Sequence, residues 1–246
     1  MSDHGSPTRI LVIQNDVDKG LGRIGDGFYG TGVELDTHMA FNEVPSVVGY
    51  DGLIVLPGLA DPIDDDPAVH RARSVIEEAL ANDLPVLGVC LGGQLLAQAL
   101  GGDVYKCDNE LAYHDVRTLP AAQTDPLLRG VPETYSSFHA HAFAFTAPPD
   151  STVLIETDVS IQALRHGNTW AFQCHPETPV FFADALARAI RGDFDGTVLP
   201  ETADFFARNG VDPDRLERDT RLADASATAV GHAIGTGFAA VCRGDA

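Results

Sequence analysis

Short apolar runs alternate with helically spaced apolar positions through the first hundred residues. Ile10-Leu11-Val12-Ile13, Gly52-Leu53-Ile54-Val55-Leu56 and Pro85-Val86-Leu87-Gly88-Val89 are continuous apolar stretches of the kind that forms strands buried on both faces. Between the second and third, Val69, Ala72, Val75, Ile76, Ala79 and Leu80 recur at helical spacing after Pro67, a residue suited to a first helical turn. Strand, helix and strand in that order predict a βαβ unit with a right-handed crossover. A second helical stripe, Leu95, Leu96, Ala99 and Leu100, follows Cys90 and stops at Gly101-Gly102. From 113 to 173 the apolar stretches are shorter and divided by Pro and Gly. Ile161-Gln162-Ala163-Leu164 and Trp170-Ala171-Phe172 are among them, and the region is expected to add strands to the same domain. Phe181 to Ile190 reads as helix again. The predicted class is α/β, with a mostly parallel central sheet flanked by helices.

Residues 193 to 246 open on a Gly/Asp/Pro-rich stretch, then run helically through Leu216, Ala223, Ala227, Val230, Ile234 and Phe238. This predicts a C-terminal helical extension packed on a domain spanning residues 9 to 191, with partner docking as the alternative use of the stripe. A chain of 246 residues, 44% of them hydrophobic, can bury a core without disulfides or metals. No apolar run approaches the ~18 residues of a spanning helix, and Met1-Ser2-Asp3-His4-Gly5 has neither region of a signal peptide. The four cysteines, at 90, 107, 174 and 242, lack CxxC spacing, as suits a reducing compartment. A cytoplasmic protein without a membrane partner is expected.

The chemistry concentrates at two places. Gly88-Val89-Cys90-Leu91-Gly92-Gly93-Gln94 puts a thiol between a buried strand and an apolar helix, the arrangement of a nucleophile elbow with Cys where hydrolases often use Ser. Glycines flanking the turn let backbones approach, and the amides and dipole of a helix N-terminus favour a thiolate. Gln173-Cys174-His175-Pro176-Glu177 follows the Trp170-Ala171-Phe172 run and offers what such a thiol needs: a base, His175, and a carboxylate to orient it, Glu177. Taken alone, His-Pro-Glu would more often be a surface turn; the elbow reverses that balance.

These two segments, 85 residues apart from Cys90 to His175, with Val55-Leu56-Pro57-Gly58-Leu59-Ala60-Asp61-Pro62 upstream, resemble a class I glutamine amidotransferase domain over roughly positions 9 to 191. The style is that of stand-alone proteins similar to the amidotransferase part of GMP synthase. The resemblance implies Cys90 as nucleophile, His175 as general base and Glu177 as its orienting carboxylate. It implies oxyanion-hole amides from Gly58 and Leu91, and a substrate-holding role for Gln94. It further implies glutamine or another γ-glutamyl amide as substrate, with no cofactor or metal. Two departures bear on which amide is bound: Ala60 stands where many relatives have the second Gly of Pro-Gly-x-Gly, and His141-Ala142-Phe143 stands where His-Gly-Asp is usual. No P-loop or Ser-Gly-Gly-rich ATP motif occurs, so a synthetase receiving ammonia would be a separate protein. The alternatives are a stand-alone hydrolase of other γ-glutamyl compounds and, in a different class, an idle binding or regulatory module.

Three weaker signals have bland readings. Gly25-Asp26-Gly27-Phe28-Tyr29-Gly30 matches a dinucleotide fingerprint but lies about ten residues beyond its strand. His139 and His141 alternate on an expected strand and lack a third ligand in view, so they read as active-site rim or satisfied core histidines. Asp64-Asp65-Asp66 reads as a solvated acidic loop, and Cys174 as a small buried filler.

Charge changes the picture last. There are 36 acidic against 16 basic residues, a formal net charge of -20, and Lys19 and Lys106 are the sole lysines. Duplex nucleic acid would be repelled. The acids run from Asp3 to Asp245, and such a uniformly acidic, lysine-poor chain resembles proteins of salt-rich cytoplasms. Dilute buffer lengthens the screening distance from ~3 Å in molar salt to ~10 Å at 0.1 M, which exposes the surface to its own repulsion. The melting temperature is therefore expected to rise from about 0.1 M to about 3 M KCl; a flat profile would remove the salt-adapted reading.

Overall fold

Alternate residues of the buried runs face opposite ways, which makes them central strands. In the computed structural model, which describes residues 7–245, Ile10, Val12, Ile54, Leu87 and Val89 enter one core cluster and Leu11, Ile13, Leu53, Val55 and Val86 another. The reading of Met1 to Gly5 lies outside the described residues, as does Ala246. The strands are β1 (Thr8–Gln14), β2 (Val33–Met39), β3 (Gly52–Val55), β4 (Val86–Val89), β5 (Val104–Thr118), β6 (Thr134–Phe145), β7 (Thr152–Glu156), β8 (Ile161–His166) and β9 (Thr169–Phe172). They form one sheet ordered β2-β1-β3-β4-β9-β8-β7-β5-β6.

The sheet is parallel from β2 to β9 and antiparallel from β9 onward through β8, β7, β5 and β6. The stretches expected from 113 to 173 are thus its antiparallel half. Periodicity did not disclose β2: Glu34, Asp36 and His38 break its apolar pattern, as suits the unpaired edge of a sheet.

The helices are α1 (Gly22–Asp26), α2 (Pro67–Ala81), α3 (Leu91–Ala99), α4 (Val180–Ile190), α5 (Pro200–Arg208) and α6 (Pro213–Arg243). Asp66, read as part of a solvated loop, is the N-cap of α2, its carboxylate accepting from the Ala68 N–H at 2.6 Å. Gly25 and Gly27 fall at the end of α1 rather than at a helix start, so the dinucleotide fingerprint has no phosphate-binding context. Cys174 is fully buried in the first cluster, where burial pushes its thiol up to about 12.

The C-terminal segment enters the core. Val230, Ile234 and Phe238 of α6 belong to the same cluster as Ile10, Ile54, Leu87 and Trp170. Trp170 meets Phe238 edge to face at 6.3 Å. Part of α6 is long and apolar enough to cross a membrane by length and composition, but its apolar stripe is buried against the sheet. The approach is close enough to demand glycine: a Cβ on Gly235 would lie 2.1 Å from the Ile24 carbonyl oxygen of α1. A third cluster joins Phe182 and Leu186 of α4, Phe206 of α5 and Leu216 of α6 to Tyr113 and Phe138 of the antiparallel half.

We propose that residues 193–245 fold cooperatively with the 9–191 unit. Ile234→Ala should then cost about 2–5 kcal/mol, as for a buried Ile in a shared core, in a single urea transition. An early separate transition affecting helix content alone would show an independently melting segment.

Candidate active site

Parallel pairing aligns the carboxyl ends of β3, β4 and β9, and the loops leaving those ends build the site. Val89 is in register with Phe172, so Cys90 and the 173–177 segment emerge side by side. Val55 is in register with Gly88, which brings the Pro57-Gly58 loop alongside them. Open parallel sheets place ligands at this edge.

Cys90 forms the turn between β4 and α3 with φ 49° and ψ −109°, a backbone conformation that non-glycine residues rarely adopt. Such a residue costs about 1–3 kcal/mol and persists only where its surroundings hold it. Here its N–H donates to the Phe172 carbonyl at 2.7 Å, and its carbonyl accepts from the Gln94 N–H at 2.8 Å. A Cβ on Gly92 would lie 2.1 Å from the Val55 carbonyl oxygen, which explains the glycine after the elbow.

His175 and Glu177 are both buried, with His175 Nδ1 2.7 Å from Glu177 Oε1. An ionised carboxylate only accepts, so this contact puts a proton on Nδ1 and leaves Nε2, which has no hydrogen-bond partner, toward other groups in the cavity. Burial opposes a charge on the imidazole, but Glu177 and then Cys90 outweigh it and raise the His175 pKa to about 10. The turn is held from behind: the Arg23 N–H donates to the Glu177 carbonyl at 2.9 Å, and the Arg23 guanidinium bonds Asp224 of α6 at 2.7 Å. A Cβ on Gly231 of α6 would lie 2.6 Å from the Pro176 carbonyl oxygen.

Cys90, His175, Gly58 and Gln94 line one cavity of about 110 Å³. Gly58 packs directly on Leu91, since a Cβ there would lie 2.7 Å from Leu91 Cδ2. Leu91 is the first residue of α3, where an N–H has no acceptor within the helix. Gln94 is committed to the protein: its Nε2 donates to the Phe143 carbonyl at 3.0 Å and to Gln173 Oε1 at 3.1 Å. Gln173 in turn places its Nε2 3.8 Å from Cys90 Sγ.

Sequence reasoning gave no role to Gln173, although it adjoins the His-Pro-Glu segment. Nor did it find Thr202, Phe205 and Phe206 of α5, which line the same cavity. Phe206 stacks on Phe138, which meets His175 edge to face at 6.0 Å. Periodicity marks such residues as apolar but not as a cavity wall. A larger cavity of about 280 Å³ adjoins His175 and Glu177 from the side of Asp18, Lys19 and Phe182 and does not include Cys90.

His141 also lines the cavity of Cys90, matching the rim reading. His139 departs from the reading of a satisfied core histidine, because it is fully buried and neither ring nitrogen has a partner. Burial holds its pKa well below the ordinary imidazole range. The third group absent from the sequence reading is Glu110 of β5, whose carboxylate lies within 4.8 Å of both imidazoles.

A family model, Glutamine amidotransferase class-I, matches residues 24–180. A glutamine-hydrolyzing GMP synthase subunit of Methanococcus maripaludis strain S2 is 32% identical over 115 residues, 45% of this chain and 60% of that protein. The protein of the same description from Methanothrix thermoacetophila is 30% identical over 148 residues, 58% of this chain and 76% of its own. The chain thus spans about 60% of the length of the first of these curated relatives. Among solved structures, a glutamine amidotransferase from Thermotoga maritima has a TM-score of 0.78 at 21% identity, covering 94% of this chain and 97% of its own. A glutamine amido transferase from Methylobacillus flagellatus has a TM-score of 0.78 at 22% identity, covering 95% and 94%. At these identities the two structures show the fold.

The His175–Glu177 contact has a pH consequence. A histidine pKa raised from about 6.5 to about 10 contributes stability that is complete below pH ~6.5 and is lost as pH rises through about 10. Glu177→Gln should lower the His175 pKa, as read by NMR of the imidazole, and flatten the alkaline loss of stability. An unchanged His175 titration in that variant would remove Glu177 as the cause.

Proposed function

The chain belongs to the glutamine amidotransferase class-I family, and on that premise we propose that it hydrolyses the carboxamide of glutamine through a γ-glutamyl thioester on Cys90. The observation that carries this reading is the elbow thiol sharing a cavity with an imidazole whose Nδ1 is held at 2.7 Å by a buried carboxylate. The Cys90 thiolate attacks the carboxamide carbon, forming the C–S bond and placing negative charge on the oxygen. The amides of Gly58 and Leu91 are the donors proposed for that oxygen. On collapse the C–N bond breaks, and protonated His175 gives its proton to the departing ammonia. His175, now neutral, takes a proton from water as it attacks the thioester; the C–S bond breaks, releasing glutamate and restoring the thiolate beside an imidazolium.

Glu177 keeps His175 in the required tautomer and favours its charged form. Gln94, whose amide N–H donors are both engaged, acts on substrate through its carbonyl oxygen and by holding the Phe143 wall. A reducing cytoplasmic setting would keep Cys90 a thiol, and the four described cysteines are all free. The Methanococcus maripaludis and Methanothrix thermoacetophila relatives are each described as one subunit of a GMP synthase, which supports a separate synthetase protein to receive the ammonia.

A second reading, hydrolysis of another γ-glutamyl amide, draws support from the two departures, since Ala60 and Phe143 both line the cavity of Cys90. Purified protein in molar KCl with glutamine and a panel of γ-glutamyl amides, followed by ammonia or amine release, separates the two. Cys90→Ala should abolish release and labelling by a glutamine-like electrophile without loss of fold. Glu177→Gln should slow turnover by roughly tens to thousands-fold. Equal labelling of parent and Cys90→Ala would overturn the nucleophile, and unchanged turnover in Glu177→Gln would reduce Glu177 to a turn residue.

A further inference from the structure

A buried cluster in the antiparallel half of the sheet is left unexplained by amide hydrolysis. His139 and His141 are two residues apart on β6 and therefore share a face. Glu110 of β5 is directly opposite His141, just where the β5–β6 ladder resumes after slipping between Lys106 and Glu110. All three side chains are buried: Glu110 is 2% exposed, His139 0% and His141 3%. One ligand atom from each lies within 4.8 Å of the others. His141 Nε2 is 3.3 Å from Glu110 Oε2, and His139 Nδ1 is 4.0 Å from Glu110 Oε1.

Hydrogen bonding does not account for this arrangement. Both nitrogens of His139 lack a partner, and Nε2 of His141 meets only the Glu110 carboxylate, at 3.3 Å. Buried polar atoms normally find partners, and a fully buried imidazole with both nitrogens unpartnered, beside a second imidazole and a carboxylate, calls for a group that is not a protein donor or acceptor. The carboxylate is itself oriented from outside the cluster, by Ser160 Oγ at 2.9 Å and Gln162 Nε2 at 2.7 Å, both on Oε2. Outer hydrogen bonds of this sort are what fix a metal-bound carboxylate. On the far side of His141, Nδ1 meets Cys107 Sγ at 3.9 Å, so Nε2 is the nitrogen turned to the cluster.

We propose that Glu110, His139 and His141 form a binding site for a borderline divalent cation of the Zn²⁺ class. Two imidazoles and one carboxylate are a three-ligand set that zinc accepts, with a fourth position open to solvent or a small ligand. The imidazole nitrogens argue against Ca²⁺ and Mg²⁺, which take oxygen ligands. A cation here would tie β5 to β6 where their ladder is irregular, and through His141 would brace the wall of the Cys90 cavity.

The test avoids the catalytic thiol, which could itself capture zinc with His175. Chelator-treated Cys90→Ala protein is titrated with Zn²⁺ by calorimetry, metal content after gel filtration is measured by plasma emission, and Co²⁺ is added as a spectroscopic substitute. One Zn²⁺ per chain, a rise in melting temperature and the visible bands of four-coordinate Co²⁺ are expected. Adding His139→Gln or Glu110→Gln to this background should weaken binding by at least about 100-fold, beyond what loss of an outer-shell partner costs. Circular dichroism without metal checks that each variant is folded, and either variant alone suffices. Absence of stoichiometric Zn²⁺ in Cys90→Ala, or unaltered affinity in a folded ligand variant, would overturn the site. Neither result depends on amide hydrolysis, so its failure and that of the proposed function are separable.

Discussion

The parallel register of β4 with β9 is the constraint on which the rest of the molecule depends. It delivers Cys90 and His175 to the same edge of the sheet, and it supplies the Phe172 carbonyl that holds the Cys90 N–H at 2.7 Å. Without that bond the unfavourable backbone of Cys90 would relax, and the thiol would no longer project from the elbow. The register is in turn enforced by burial. Val86 and Val89 face opposite clusters, as do Trp170 and Ala171, so a slip of one residue would turn each strand inside out.

Around this frame the C-terminal helices act as structural parts of the site. Close packing of α6 on α1 sets the back of the His175-Pro176-Glu177 turn through Gly231 and the Arg23–Asp224 ion pair. The exposed carboxylate makes that ion pair modest on its own, since solvent screens Asp224. Its value is geometric, because Arg23 is also the residue whose N–H holds the Glu177 carbonyl. Helix α5 lines the cavity with Phe205 and Phe206, so part of the wall around Cys90 comes from a segment that reads in sequence as an appendage.

Proton placement follows from the same packing. A buried imidazole would ordinarily be driven neutral, and His139 is, whereas His175 is held charged because Glu177 is two residues away in a turn too short to let them part. The fold thus holds two buried histidine environments of opposite tendency, close enough that charge on His175 helps to keep His139 neutral.

What the sequence determined by itself was whatever depends on neighbours in the chain. The runs at 10–13, 52–56 and 85–89, the stripe from Val69 to Leu80, the elbow at Cys90 and the pairing of His175 with Glu177 are all local: each needs only a period, a turn glycine or a two-residue spacing. Tertiary structure decided what depends on residues far apart meeting. Glu110 joins His139 and His141 only because β5 pairs with β6; Phe206 reaches the Cys90 cavity only because α5 folds back; and β2, polar on its exposed edge, is a strand only because β1 is beside it. Periodicity reports that a side chain is buried, whereas the identity of the groups it is buried against is set by strand order and register, which no local pattern encodes.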